Sequence, residues 1–316
     1  MIEVAHLGKI YGSTVAIENV SFNVNRGEIV GFLGANGAGK TTIMRILAGY
    51  LPATSGSAKI AGFDVRRQSM KVRRRVGYLP ETPPLYPNMT VVGFLSFVAK
   101  IQGVPTSKRQ QQVELAIANC QLESKAKTTI RKLSRGYRQR VAIAQAIVHE
   151  PAVIILDEPT IGLDPKQIIE TRNLIESLRG KHTVIFSSHI LPEVNAICDR
   201  IIVIHHGKIV ANNTPQNLQE RLKVSYTYHI EVEGNIETLL NEFSRIPEIL
   251  EIQHLENQYG EYAVLKIVSN NASLGKKLTT TIFNSYVSLH EMRRICPNLE
   301  DAFSELTTED TTAKYI

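Results

Sequence analysis

Apolar and polar residues fall into blocks along the chain, and the period within each block predicts an element. Residues 2–7 and 15–24 are rich in β-branched side chains and are broken by Tyr11-Gly12-Ser13 and Asn25-Arg26-Gly27-Glu28, which predicts two strands and their turns. Residues 29–33 are apolar at almost every position, the pattern of a strand covered on both faces. A glycine-rich turn follows, and Ile43, Ile46 and Leu47 then repeat at helical spacing over 42–50. The runs 153–156 and 183–186 predict two more buried strands, preceded by helices over 139–149 and 168–178. Strand–helix alternation of this kind gives an α/β fold with a largely parallel sheet. Helices over 91–101 and 107–119 form an insertion within about residues 82–150, and 201–204 pairs with 208–210 across His205-His206-Gly207.

The pattern changes after the turn Asn212-Asn213-Thr214-Pro215 and a short helix over 216–222. Residues 225–232, 249–256, 262–269 and 288–294 read as strands, with helices over 236–244 and 274–285. That βαββαβ order predicts a small two-layer α+β domain of the ferredoxin-like kind. The boundary is placed near Lys223, giving domains 1–222 and 223–316.

Composition narrows the classes. A hydrophobic share of 43% over 316 residues excludes a disordered chain. The net charge of +6 permits contact with nucleic acid or an anionic membrane but argues for neither. Much of it sits in the run 66–75, which reads first as a solvated helix face. Cys120, Cys198 and Cys296 show neither disulfide nor zinc spacing, which suits a reducing cytoplasm. The N-terminus lacks the charged and apolar regions of a signal peptide. An uninterrupted apolar stretch of ~20 residues is also missing, so the chain is not expected to cross a bilayer itself.

Chemistry concentrates in three segments. Gly34-Ala35-Asn36-Gly37-Ala38-Gly39-Lys40-Thr41-Thr42 follows a predicted buried strand and opens a helix, the setting of a phosphate-binding P-loop. Glycines let the backbone N–H groups surround a phosphate, Lys40 can reach its oxygens, and the Thr41 hydroxyl can ligate Mg²⁺. Asp157 and Glu158 end a buried strand, where α/β sheets place their ligands. Asp157 would hold Mg²⁺ through its water shell, and Glu158 would polarise an attacking water. Ser134, in Leu133-Ser134-Arg135-Gly136-Tyr137, has two readings: a helix N-cap, or with Gly136 an anion site at a helix N-terminus.

The order of these motifs, followed by Gly162-Leu163-Asp164-Pro165 and Ser187-Ser188-His189, resembles the ATP-binding-cassette (ABC) ATPases over roughly the first two-thirds of the chain. The resemblance implies a P-loop NTPase cassette: a RecA-like α/β core with an N-terminal antiparallel β subdomain and a helical insertion. It implies ATP and Mg²⁺ as ligands, with Thr41, Asp157 and Glu81 at the metal and Tyr11 stacked on adenine. It also implies a second copy whose Ser134 and Gly136 complete the site formed by Lys40, with Asp164 at the seam and His189 on the γ-phosphate and attacking water. Two departures stand out. Arg135 and Tyr137 flank a single Gly136 where the family usually has two glycines and a glutamine, and Glu81 replaces a usual glutamine.

Within the family the chain is most similar to bacterial subunits of the gliding-motility, multidrug-export and sodium-export type, which carry a C-terminal extension with a phrase like Asn298-Leu299-Glu300-Asp301-Ala302-Phe303. That likeness implies a separate multi-span permease, docked through residues 81–97 with Pro83, Pro84 and Pro87. It places the protein in the cytoplasm, peripheral on the cytoplasmic face of the inner membrane, without a nucleic-acid partner. Two other readings stay open: a soluble cassette acting on nucleic acid or ribosomes, and a nucleotide sensor with little hydrolysis.

Overall fold

The computed structural model describes residues 1–222, 226–255, 262–269, 271 and 273–295. It opens with β1 (Ile2–Tyr11) and β2 (Thr14–Val24), antiparallel, with Ile2 opposite Val24 and Tyr11 opposite Thr14. β1 runs on to Tyr11, past the expected end at Leu7. Register shifts and a left-handed His6 break its alternation there without ending the pairing. β3 (Ile29–Leu33) is buried at every position and leads through the glycine-rich turn into α1 (Lys40–Leu47). The helix buries Ile43, Met44, Ile46 and Leu47 in a core shared with Phe22 and Phe32, whose rings meet edge-on at 5.2 Å.

β4 (Ser55–Ile60) and β5 (Phe63–Asp64) have no clear period-two pattern, yet β4 pairs with β1, placing Ile60 opposite Ile2. The first sheet therefore runs β2-β1-β4-β5. The basic run includes α2 (Ser69–Arg73) and is not simply a solvated face. Arg73 donates to Gly49 O at 2.6 Å, and the Arg75 guanidinium lies 4.1 Å from the Phe63 ring centre.

A second sheet is built from β3 with β6 (Val76–Leu79), β7 (Val153–Leu156), β8 (Thr183–Ser188), β9 (Arg200–His205) and β10 (Lys208–Asn213). Its order is β10-β9-β3-β8-β7-β6, parallel except for β10. The connections carry α3 (Val91–Ile101), α4 (Thr106–Asn119), α5 (Arg135–Ile147), α6 (Pro165–Glu176) and α7 (Leu191–Ile197). Because β3, β7 and β8 run parallel, the P-loop, Asp157 and His189 all emerge at the same edge, the carboxyl ends of the strands.

The chain divides into two compact units, Met1–Thr214 and Pro215–Ile316. α8 (Pro215–Leu222), expected at the end of the first domain, falls in the second unit. Lys223, the expected boundary, lies outside the described residues, as do Cys296 and 298–303. The second unit continues with β11 (Tyr226–Glu233), α9 (Ile236–Phe243), β12 (Ile249–Leu255), β13 (Ala263–Ser269), α10 (Leu274–Asn284) and β14 (Ser288–Ile295). All pairings are antiparallel in the order β12-β13-β11-β14, the ferredoxin-like arrangement. Leu239, Phe243, Leu278 and Ile267 form its core. Among the described residues no helix is long and apolar enough to cross a membrane.

Candidate functional site

The P-loop owes its shape to backbone constraints. Gly37 and Gly39 adopt φ of 83° and 110°, a region that favours glycine. A Cβ on Gly34 would stand 2.5 Å from Ile204 O, so the loop also needs glycine to pass its neighbour strand. Gly39 caps α1 without a side-chain hydrogen bond, leaving the first-turn N–H groups available to an anion. Lys40 is buried. Its Nζ donates to Gly34 O at 2.7 Å and Ala35 O at 3.2 Å, and lies 3.2 Å from Glu158 Oε1 as an ion pair not aligned as a hydrogen bond.

Asp157 leaves the end of β7 with 1% of its surface exposed. Its Oδ1 accepts from Ser187 Oγ at 2.7 Å and Thr41 Oγ1 at 3.2 Å, while Oδ2 is buried without a partner. Burial pushes its carboxyl above the usual range, the charges of Glu158 and Glu81 add to this, and the two hydroxyl bonds oppose it. A buried carboxylate oxygen with free lone pairs beside a threonine hydroxyl fits a hard divalent cation such as Mg²⁺, which takes few protein ligands and completes its shell with water and phosphate oxygens.

Glu158 is held in the left-handed region at φ 49°, unusual for a non-glycine residue and worth about 1–3 kcal/mol of strain. Its N–H donates to Ser187 Oγ at 2.9 Å, and its Oε2 lies 3.0 Å from His189 Nδ1. Ser187 thus holds both carboxylate residues. Its signal in the sequence is the polar pair Ser187-Ser188 closing an apolar strand, which by itself does not mark a site residue; both are fully buried.

A pocket of about 340 Å³ is lined by Ala35, Asn36, Gly37, Gly39, Lys40, Thr41, Thr42, Glu81 and Glu158. The structure therefore brings the P-loop, Glu81, Glu158 and, through its contact with Glu158, His189 together; Gly34 and Ala38 do not line the pocket, and Asp157 reaches it through its contact with Thr41. Tyr11 does not line this pocket. It sits exposed at the end of β1 with Lys9 Nζ 5.1 Å from its ring centre, and Ala16 contributes to the lining instead.

Ser134, Gly136 and Asp164 do not line it either. Ser134 caps α5, its Oγ accepting from Tyr137 N at 3.4 Å, and Asp164 caps α6, accepting from Gln167 N at 2.9 Å. Gly136 is buried where a Cβ would come 2.7 Å from the Gln167 side chain. Arg135 donates to Ile161 O at 2.9 Å and Gln139 to Pro159 O at 2.7 Å, so the α5 N-terminus is tied to the segment that follows Glu158.

The family described as ABC transporter matches residues 17–161. The bacitracin transport ATP-binding protein of Bacillus licheniformis is 38% identical over 223 residues, covering 70% of this chain and 72% of that one. The linearmycin resistance ATP-binding protein of Bacillus subtilis (strain 168) is 29% identical over 311 residues, covering 97% and 98% respectively. Among solved structures, a dimeric ATP-binding cassette in a post-hydrolysis state, bound to ADP and Pi, is similar with a TM-score of 0.62 at 25% identity, over 68% of this chain and 98% of that one.

Proposed function

Because the chain belongs to the ATP-binding proteins of ABC transporters, we propose that it binds and hydrolyses MgATP and couples that cycle to a separate membrane permease, in an exporter. The observation that carries this reading is the meeting of Lys40, Asp157, Glu158 and His189 at the ends of three parallel strands. Phosphate oxygens would be taken by the uncapped N–H groups of α1 and by Lys40. As Lys40 turns to the γ-phosphate, Glu158 is left paired with His189 and accepts the proton of the attacking water. Thr41, Asp157 and Glu81 would hold Mg²⁺, which when bound neutralises charge on the phosphate oxygens.

Tyr11 stacks on the adenine bound by its own chain, and a second copy supplies Ser134 and Gly136 to the γ-phosphate, with Asp164 at the seam. Ser134, Gly136 and Asp164 lie outside the P-loop pocket of their own chain, which supports a site shared between copies. Residues 81–97 are the docking surface for the permease, and the protein works at the cytoplasmic face of its membrane. The first unit performs the ATPase cycle and the second is accessory to it. A nucleic-acid role draws no support from the basic run, whose Arg73 and Arg75 are engaged within their own subdomain.

The test is Glu158→Gln in the full-length chain. Turnover should fall by about 10²–10⁴-fold, with ATP still bound and a nucleotide-dependent dimer persisting in size-exclusion chromatography. Lys40→Ala should weaken nucleotide binding itself. Turnover by Glu158→Gln at the wild-type rate would overturn the assignment.

A further inference from the structure

We propose that Glu193 is a positioning residue for hydrolysis, holding the His189 loop and the segment after Glu158 in one register through the hydroxyls of Ser188 and Thr160. The inference rests on the ATPase reading above. Glu193 lies on α7 with 3% of its surface exposed; Thr160 is 4% exposed and Ser188 is fully buried. One oxygen, Glu193 Oε2, accepts from Thr160 Oγ1 at 2.6 Å and from Ser188 Oγ at 2.9 Å. Ser188 Oγ also accepts from Ile190 N at 2.9 Å, so the serine brackets His189 on both sides. Thr160 stands two residues after Glu158, and its carbonyl accepts from Leu163 N at 3.2 Å, which starts the turn toward Asp164.

Each hydroxyl has a single proton to give, and both give it to the same oxygen. An apolar side chain at position 193 would leave two buried hydroxyls without that acceptor. The other carboxylate oxygen, Oε1, is buried without a partner, so the group is expensive to keep. Folding alone would be served by an apolar residue of similar volume, as it is for many buried charges. What the carboxylate adds is a directional link between segments 28 to 33 residues apart.

The link has a rigid base. A Cβ on Gly31 of β3 would stand 2.1 Å from Val194 Cγ1 and 2.7 Å from Cys198 Sγ, so α7 is seated directly on the strand that feeds the P-loop. Glu193 thereby refers the ends of β7 and β8 to β3. Ser187 makes a parallel tie between the same strand ends through Asp157 and the Glu158 N–H. The 3.0 Å approach of His189 to Glu158 is held by these two ties.

Loss of the Glu193 tie should therefore misplace His189 against Glu158 while leaving the P-loop intact. The experiment measures steady-state MgATP hydrolysis and equilibrium binding of a non-hydrolysable ATP analogue on the full-length chain. Thr160→Val should lower kcat roughly ten- to a hundredfold, as small misplacements of reacting groups do, with analogue affinity held. Thr160→Ser, which restores the donor, should recover the rate. Glu193→Ala, which also takes the acceptor from Ser188, should lower kcat at least as far as Thr160→Val, and the double variant should be no slower than Glu193→Ala alone, because Thr160 acts through Glu193. Should Glu193→Ala fail to fold, the Thr160 pair decides the matter by itself.

Wild-type kcat in Thr160→Val, failure of Thr160→Ser to recover, or a matching loss of analogue affinity would each overturn the proposal. Glu158→Gln run in parallel separates the two readings. If it is inactive while Thr160→Val turns over normally, only the positioning role is lost; if it too turns over normally, the ATPase assignment fails with it.

Discussion

The two units differ in how much charge they bury. In the first, Lys40, Asp157, Glu158, Ser187, Ser188 and Glu193 crowd one edge of a parallel sheet, none more than 6% exposed. Asp157 Oδ2 and Glu193 Oε1 find no partner there, and Glu158 is held in a left-handed conformation. In the C-terminal unit Ser269 is the one fully buried polar side chain among the described residues, and it is satisfied: its hydroxyl donates to Glu248 O at 2.7 Å and accepts from Asn271 N at 3.0 Å. The rest of that core is aliphatic and aromatic. The buried charged side chains among the described residues, Lys40, Asp157, Glu158 and Glu193, all lie at the edge where chemistry is done, while lone unpartnered polar atoms also occur elsewhere, at Gln145 Oε1 of the first unit and Glu248 Oε2 of the second.

The largest expected effect tests whether Asp157 serves catalysis at the expense of folding. Asp157→Asn should cut MgATP turnover about a thousandfold, since the proposed Mg²⁺ site would lose one of its two charged ligands. Thermal stability measured without added metal should not fall. The folded chain holds the Asp157 carboxyl above its usual range, so at neutral pH the ionised form is the costly one to bury, and a neutral amide escapes that cost. A clear drop in melting temperature would break the contrast between the units.

The converse applies to the C-terminal core. Phe243 is fully buried on α9, and Phe243→Ala should destabilise that unit by about 3–5 kcal/mol. Calorimetry should show one transition lowered, with affinity for an ATP analogue at the P-loop held within about twofold, as for sites that share no partners. Nucleotide affinity falling in step with the second unit would show that the two are energetically one.

Legibility in the sequence follows the same division. The C-terminal elements obey simple periods, and observed and expected bounds agree closely: 236–244 against Ile236–Phe243, and 274–285 against Leu274–Asn284. In the first unit the buried strands and glycine loop could be read because apolar runs and fixed spacings are local signals. β4, β5, the short β6, α2 and α7 could not. β4 is set by pairing with β1, from 47 to 58 positions away in the chain, β5 by pairing with β4, and α2 is too short to show a period. The Glu193–Thr160–Ser188 group escaped for a related reason: each residue is ordinary in isolation, and the link exists only once β7, β8 and α7 are assembled.

A smaller effect concerns acid. His149 follows α5 in the first unit, and burial, with help from His182, pushes its pKa from 6.5 down to about 4, partly offset by the Val76 backbone. The unfolded chain therefore binds a proton that the folded chain refuses between those values. Stability from this residue is fully present above the unfolded pKa and is lost as pH falls toward the folded one. The loss should reach about 2 kcal/mol at pH 5. Asp157 works in the opposite sense, its raised pKa returning stability as pH falls. Urea unfolding of His149→Gln beside the wild type at pH 7 and pH 5 isolates the histidine, because Asp157 is common to both. The variant should lose less stability on acidification; equal losses would remove His149 as an acid-sensitive point.

The smallest effect sets one structural device in both units side by side. Asp164 caps α6 by accepting from Gln167 N at 2.9 Å, and Asn235 caps α9 by accepting from Thr238 N at 3.1 Å. Removing either acceptor should cost about 1 kcal/mol, so Asp164→Ala and Asn235→Ala should shift their own unfolding transitions similarly. Turnover should separate them. Asn235→Ala should leave MgATP hydrolysis at the wild-type rate, whereas Asp164→Ala should slow it if Asp164 meets the second copy at the seam as proposed. Asp164→Asn provides the control: asparagine caps as well as aspartate, so helix stability returns while the carboxylate stays absent. A rate that recovers with the cap would make Asp164 a structural residue like Asn235, and a rate that stays low would place its charge in the assembled ATP site.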